Sequence, residues 1–150
     1  MIMTSSQPNA TMFKFGYPAS LIKDYTNWVV LLRPAQCTLG ALVLVNKSEA
    51  QSFSSIGRDS FEELDRITKD IERNLTAFRA YQKINYLMLM MVDKEVHFHV
   101  LPRFDSDQEF GGATYSDPGW PAAPDLAAGP VLEGAEMAAL VDELKNIWTS

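Results

Sequence analysis

The stretch EVHFHVLPR, residues 95–103, contains both histidines of this 150-residue chain, His97 and His99. Successive residues of a β-strand point to opposite faces, so Glu95, His97 and His99 are predicted to share one face. The opposite face, packed against the core, would carry the alternating apolar residues Val96, Phe98 and Val100. Three ionisable groups in a row are unfavourable to bury without partners. This row therefore predicts a functional site.

These residues alone are compatible with two kinds of functional site. A His-x-His pair on a strand can bring two imidazoles to one metal ion, with Glu95 as a third ligand. The cation Arg103 close by works against an additional positive ion. Alternatively, a neutral imidazole is a good nucleophile toward a phosphoryl group, and a second imidazole can orient the first or bind phosphate oxygens. The sequence favours phosphate chemistry and keeps the metal site as an alternative.

The composition limits the partners and the compartment. The net charge is −6, with 13 basic and 19 acidic residues, which argues against a surface for duplex nucleic acid. The single cysteine, Cys37, cannot form an internal disulfide, which fits a reducing compartment. The N-terminus has no pattern of a secretory signal, and the longest apolar run, residues 86–92, is too short to span a bilayer. We therefore expect a soluble, cytoplasmic protein with no membrane partner.

The first half of the chain predicts strands that precede a long helix. The first dozen residues are largely polar, and residues 1–17 are predicted to form a loose N-terminal segment. Residues 21–46 contain three β-like segments, which predict an antiparallel meander. Ser60 and Glu63 have the spacing of a capping box at the start of a helix whose apolar stripe extends to Phe78.

The second half predicts further strands, a long loop and a short helix. Residues 84–92, INYLMLMMV, are apolar on both faces and predict a central strand. Residues 105–134 are rich in Gly, Pro, Ala and Asp and predict a long loop of the kind that covers a site. Residues 135–148 predict a C-terminal helix. The length and the absence of a boundary predict one domain over residues 1–150.

The stretch VHFHVLPR, residues 96–103, resembles the signature of the histidine triad (HIT) superfamily, which is His-apolar-His-apolar-His followed by two apolar residues. Its LPR ending is similar to that of the fragile-histidine-triad branch of dinucleoside polyphosphate hydrolases. Upstream, NWVVLLRPAQCTLGALVLV, residues 27–45, resembles the family's pair of strands around a glycine turn. The resemblance spans roughly residues 20–104, and the signature is its most specific part.

The resemblance implies an α+β fold, with an antiparallel sheet of about five strands and two helices, paired as a homodimer. It implies a nucleotide hydrolase or nucleotidyl transferase that acts on the α-phosphate of a dinucleoside polyphosphate or related purine nucleotide. The middle histidine of the family forms a nucleotidyl-histidine intermediate that water hydrolyses, a role that falls to His97, while His99 corresponds to the assisting last histidine. No cofactor is built in, although a divalent cation such as Mg²⁺ can accompany the polyphosphate.

Glu95 stands where the first histidine of the triad is expected. A carboxylate there would repel phosphate and so slow turnover, change the substrate, or be offset by a cation. The alternative function is a nucleotide-binding protein with weak or no turnover. Glu95 is included among the predicted substrate contacts, together with residues of the turn after the second strand, of a strand start and of the signature: Arg33, Gln36, Thr38, Asn85 and Arg103.

Overall fold

Five antiparallel strands form the main sheet of the computed structural model, which describes residues 7–150. They are β1 (Leu21–Asp24), β2 (Trp28–Leu32), β3 (Leu42–Asn46), β4 (Lys83–Leu87) and β5 (His97–Arg103). Their spatial order is β1-β2-β3-β5-β4, so the histidine-bearing β5 lies between β3 and β4. The helices are α1 (Ala10–Lys14), α2 (Arg58–Phe78) and α3 (Gly134–Ile147), with a 3-10 turn at Phe53–Ser55. The predicted α+β fold with a five-stranded antiparallel sheet is confirmed.

One face of the sheet packs against α2 and α3. Trp28, Val30 and Leu32 of β2 lie in this core, together with the apolar stripes of both helices. Val96 and Val100 belong to the same core and are fully buried, as the alternation around the histidines predicts. Because β2 is covered on both faces, it is a continuous apolar run. The packing of this face directs His97 and His99 to the opposite face.

The opposite face is covered by the N-terminal segment, which is folded. The side chain of Asn9 accepts a hydrogen bond from the N–H of Met12 at the start of α1, and its amide donates to the carbonyl of Asn46 at 2.8 Å. Met12 is buried against Val29 and Val45 of the sheet. The predicted loose segment over residues 1–17 is therefore wrong for residues 7–17, because contacts distant in sequence anchor them; residues 1–6 lie outside the described part.

The strand β4 lies at an edge of the sheet. It pairs with β5 alone among the strands of residues 7–150, and the chain leaves the sheet after Leu87. Leu89, Met91 and Val92 are exposed, Met91 by 85%. The prediction of a central strand over residues 84–92 is therefore wrong. Exposure of an apolar run to water is unfavourable, but the sequence pattern does not show which surface buries the run.

The helix α2 begins two residues before the predicted capping box, at Arg58. The hydroxyl of Ser60 accepts a hydrogen bond from the side chain of Asn46, and the carboxylate of Glu63 accepts one from the backbone N–H of Asn27. Both polar side chains thus connect the helix to the β2–β3 region. The predicted capping box is wrong because these tertiary partners replace the local ones.

The segment predicted as a loop over residues 105–134 contains structure of its own. It includes a hairpin of β6 (Gln108–Phe110) and β7 (Ala113–Tyr115), and it returns to the sheet where Val131 bridges Ala35. The C-terminal helix α3 follows directly. Within residues 7–150, no helix is long and apolar enough to cross a bilayer.

Candidate functional site

The two histidines lie side by side on β5. Their ring centroids are 5.3 Å apart and the ring planes are nearly perpendicular, at 80°. On the adjacent β3, His97 faces Val45 and His99 faces Val43 in the strand register. Only 2% of His97 and 7% of His99 is exposed. The pair is therefore a preorganised unit in a largely apolar recess.

The ring of His97 is oriented by the backbone that precedes it. Its Nδ1 lies 2.7 Å from the carbonyl oxygen of Glu95. A carbonyl oxygen accepts and cannot donate, so Nδ1 carries the proton of this hydrogen bond. In the neutral ring, Nε2 of His97 then keeps its lone pair. This is the arrangement that a nucleophilic imidazole requires.

The ring of His99 has the opposite arrangement. The Nε–H of Arg33 donates to Nδ1 of His99 at 3.2 Å, so the proton of the neutral ring lies on Nε2. Burial, then the guanidinium of Arg33 and the neighbouring His97, lower the pKa of His99 to about 4. With both rings neutral, the site therefore pairs a ring that presents a lone pair, His97, with a ring that presents an N–H donor, His99.

Phe15, which follows α1, covers both histidines. Its ring centroid lies 5.7 Å from that of His97 and 5.5 Å from that of His99. The side-chain hydroxyl of Ser20 donates to the carbonyl of Phe15 at 2.7 Å and helps to fix the backbone there. Sequence reasoning missed Phe15 because its segment has no periodic pattern. Its position makes the N-terminal segment one wall of the site.

Glu95 faces α1 and is not part of the histidine row. The strand β5 begins at His97, and Glu95 lies in a bend before it. Its Oε1 accepts hydrogen bonds from the backbone N–H of Thr11 at 3.0 Å and from the hydroxyl of Thr11 at 2.8 Å. The prediction that Glu95 shares the face of the histidines is corrected, because its carboxylate binds Thr11 of α1. A contact of Glu95 with substrate stays a prediction.

The alternative of a metal site built from Glu95, His97 and His99 is not supported by this geometry. Among residues 7–150, no three His, Cys, Asp or Glu side chains come together in a way that could hold a metal ion. The single cysteine, Cys37, is free and buried.

We expect Glu95→His, which would complete the triad in sequence, to lower the free energy of unfolding by about 1.5–3 kcal/mol, the range for hydrogen bonds to charged groups. The reason is that the variant loses a carboxylate acceptor of Thr11. Chemical denaturation with urea measures the change. Glu62→His, on the exposed face of α2, is the matched control and should stay within about 0.5 kcal/mol of wild type. Equal stability of Glu95→His and wild type would contradict the role of this contact.

Arg103 holds the long loop through buried hydrogen bonds. Its Nε and NH2 donate to the two carboxylate oxygens of Asp117 at 2.7 and 3.0 Å, and its NH1 donates to Oδ1 of Asn85 at 2.8 Å. The side chains of Arg103 and Asp117 are 4% and 1% exposed. Arg103 and Asn85 also line the cavity described below, and their contact with substrate stays a prediction.

The turn between β2 and β3 holds the remaining candidates. The amide of Gln36 donates to the carbonyls of Arg33 and Ala41 and accepts from the N–H of Gly40, so its side chain closes the turn. A substrate contact for Gln36 stays a prediction. Thr38 is also buried, and its hydroxyl has no hydrogen-bond partner within residues 7–150. A substrate contact for Thr38 stays a prediction.

A cavity of about 660 Å³ opens over β4 and the end of β5. It is lined by Lys83, Asn85 and Leu87 of β4, by Arg103 of β5 and by the loop around Trp120. Leu87 lies opposite His99 in the register, so the cavity is on the same face of the sheet as the two rings. Its volume is within the range of about 300–1,000 Å³ that is typical of small-molecule sites.

Comparison with solved structures identifies this architecture. A histidine triad protein of Bradyrhizobium japonicum aligns with 95% of this chain and 98% of its own, at 18% identity and a TM-score of 0.70. The chain has the histidine triad fold. A histidine triad protein of Sinorhizobium meliloti aligns with 94% of this chain and 98% of its own, at 20% identity and a TM-score of 0.67.

The histidine triad fold is also that of a hypothetical histidine triad nucleotide-binding protein from Sulfolobus tokodaii. It aligns with 91% of this chain and 88% of its own, at 13% identity and a TM-score of 0.66. No family model and no curated protein matches the sequence. The predicted resemblance to the superfamily is confirmed as a likeness of fold, and the narrower likeness to the fragile-histidine-triad branch stays a prediction.

Proposed function

We propose that this protein is a nucleotide hydrolase or nucleotidyl transferase that acts on the α-phosphate of a dinucleoside polyphosphate or related purine nucleotide. The observation that carries the proposal is the 2.7 Å hydrogen bond between Nδ1 of His97 and the carbonyl of Glu95, which leaves Nε2 as a lone-pair donor. The histidine triad fold and the adjoining cavity support it.

The reaction has two balanced steps. The lone pair on Nε2 of His97 attacks the α-phosphorus and forms a P–N bond, while the P–O bond to the rest of the polyphosphate breaks and its electron pair leaves on oxygen. Water then attacks the phosphorus of the nucleotidyl-histidine and forms a P–O bond. The P–N bond breaks, its electron pair returns to Nε2 of His97, and the nucleoside monophosphate departs while a proton of the water passes to solvent. A different acceptor in place of water would make the protein a transferase.

The surroundings of the substrate follow from the same proposal. The cavity beside His99 would hold the part of the polyphosphate that departs, with Lys83 at its wall to neutralise charge. A divalent cation such as Mg²⁺ would arrive as part of the polyphosphate. A cytoplasmic location belongs to the proposal too, because such nucleotides and the unpaired thiol of Cys37 both fit a reducing interior.

The second candidate function is a nucleotide-binding protein with weak or no turnover. One observation favours it: His97 is only 2% exposed and is covered by Phe15. A substrate must displace this cover before Nε2 can reach phosphorus. If the cover does not move, a nucleotide could occupy the neighbouring cavity without reacting.

The test that separates the two candidates is the detection of a covalent intermediate. The purified chain is incubated with diadenosine tetraphosphate, quenched in alkali, which preserves P–N bonds, and digested for mass spectrometry. We expect adenylate on the peptide that contains His97, together with released nucleotide. Binding of the nucleotide by calorimetry with neither adduct nor product would contradict the enzyme and support the binding protein.

We also propose a homodimer that forms through β4 and the exposed segment 88–92. Edge strands such as β4 present unpaired backbone groups. The adjoining Leu89, Met91 and Val92 are apolar and exposed. A second copy would pair with the backbone of β4 and bury these side chains. We expect sedimentation to give a dimer for wild type and a monomer for Met91→Lys with Val92→Lys. Val131→Lys, at an equally exposed residue, is the control. A monomeric wild type would exclude the dimer.

A further inference from the structure

Arg33 is held in one orientation beside the histidines. Its Nε donates to Nδ1 of His99 at 3.2 Å, and its NH1 donates to the carbonyl oxygens of Ala35 at 2.8 Å and of Leu126 at 3.2 Å. These acceptors come from β5, from the turn after β2 and from the long loop. Because the guanidinium group is planar, bonds on two of its nitrogens fix its plane. The predicted contact of Arg33 with substrate stays a prediction, and the observed bonds direct its Nε to the ring of His99.

The other neighbours of His99 leave its ring neutral as well. Across the sheet its register partners are Val43 of β3 and Leu87 of β4, and Phe15 packs against it from the N-terminal segment. The titratable and charged groups that act on it are Arg33 and His97, and burial comes before both in lowering the pKa of His99 to about 4. None of these five neighbours is a carboxylate that could stabilise an imidazolium ion.

We propose that Arg33 is a positioning residue that holds the proton of His99 on Nε2 and, together with burial, keeps the ring neutral, so that the site favours leaving groups that depart without a proton, such as a nucleoside polyphosphate, over amines. The proposal rests on the proposed function and narrows its substrate class. His99 then donates a hydrogen bond to a phosphoryl oxygen and transfers no proton.

The basicity of the leaving group determines whether a proton donor is needed. When a phosphoanhydride breaks, the electron pair leaves on a phosphate oxygen of low basicity, and no proton is needed. When a phosphoramidate breaks, the electron pair would leave on a strongly basic nitrogen, which must receive a proton as the P–N bond opens. A neutral imidazole that gave up its Nε2 proton would become an imidazolate, so His99 held by Arg33 is a poor acid. General acid catalysis typically accelerates a reaction by about 10²–10⁴-fold. Substrates with an amine leaving group would lack this acceleration here, because His99 does not supply the proton.

The experiment compares kcat/KM for diadenosine tetraphosphate and adenosine phosphoramidate, in wild type and in three variants. Arg33→Met removes the donor and the charge, Arg33→Lys keeps a cation that can donate, and Arg66→Met changes an exposed arginine of α2 on the other side of the sheet. We expect wild type and Arg66→Met to favour the tetraphosphate by about 10²-fold or more, the lower limit for a missing general acid. In Arg33→Met, the ratio of kcat/KM for the tetraphosphate to kcat/KM for the phosphoramidate should fall by at least about tenfold. Arg33→Lys should restore most of this ratio.

A spectroscopic readout follows the ring itself. The chain has two histidines, so the ¹⁵N resonances of the imidazole nitrogens are assigned with the single variant His97→Gln. In wild type we expect Nε2 of His99 to carry the proton at neutral pH and its titration to lie well below that of an ordinary histidine. In Arg33→Met the pKa of His99 should rise, and both neutral tautomers of its ring should be populated. A purely structural role for Arg33 would leave the pKa and the tautomer populations unchanged in the folded protein.

The outcomes separate this proposal from the one on which it rests. Adduct formation at His97 with equal turnover of both substrates, or a ratio that does not change in Arg33→Met, would overturn the role of Arg33 and leave the proposed function standing. Turnover of neither substrate by wild type would overturn the proposed function and the leaving-group preference together. A preference for the tetraphosphate that depends on Arg33, with a shifted His99 titration, supports both.

Discussion

Replacing His97 with glutamine is expected to lower kcat for diadenosine tetraphosphate by at least about 10⁴-fold, the scale of loss when a covalent nucleophile is removed. Glutamine offers an amide nitrogen whose lone pair is delocalised, so it cannot form the P–N bond. Glutamine is close to histidine in size and is uncharged, so the local fold should persist even though the bond from Nδ1 to the carbonyl of Glu95 is lost. Steady-state release of adenosine nucleotides and mass spectrometry of the adduct measure the loss.

His99→Gln is the matched control, on the same strand and the same face. Its side chain can still donate to a phosphoryl oxygen, so we expect a smaller loss of about 10²-fold or less and an adduct that still forms on His97. A His97→Gln variant that keeps turnover within about tenfold of wild type would show that His97 is not the nucleophile.

Asp117→Asn is expected to lower the free energy of unfolding by about 3–5 kcal/mol, the range for breaking a buried ion pair on one side. The guanidinium of Arg103 donates to both carboxylate oxygens of Asp117, and the two side chains are 4% and 1% exposed. An amide offers one acceptor and no charge, so Arg103 would stay buried with part of its charge uncompensated. Urea denaturation followed by tryptophan fluorescence measures the change.

Two further variants test this explanation. Asp65→Asn breaks the exposed pair with Lys69, whose side chains are 76% and 70% exposed, and should change stability by about 1 kcal/mol or less. Asp117→Leu combined with Arg103→Met removes both charges and should recover most of the loss, because apolar replacements of a buried pair are often neutral. Equal losses in Asp117→Asn and Asp65→Asn would contradict the burial of the pair.

The alternation along β5 could be predicted from sequence because its cause is local. A period of two fixes which side chains share a face, and the apolar Val96 and Val100 determine which face is the core. His97 and His99 therefore reach the opposite face whatever the rest of the chain does. The signature and the glycine turn together were sufficient to predict the sheet in which this strand lies.

Contacts between distant segments could not be predicted in the same way. The alternation places Glu95 in line with His97, but the strand begins two residues later, where Thr11 draws the carboxylate toward α1. Likewise Arg103 looks free in sequence, and its partner Asp117 lies in a loop with no periodic pattern. In each case a charged side chain forms its hydrogen bonds with a residue whose position only the complete fold determines.

The two walls of the site are attached at opposite ends of one strand. The N-terminal wall is bonded to Glu95 just before β5, and the loop wall is bonded to Arg103 at its last residue, with both histidines between them. For the proposed enzyme, we therefore expect the two walls to determine substrate scope independently. Libraries that vary residues 13–17 or 118–124 would each reshape one side of the recess, and His97 would keep the same strand geometry in both.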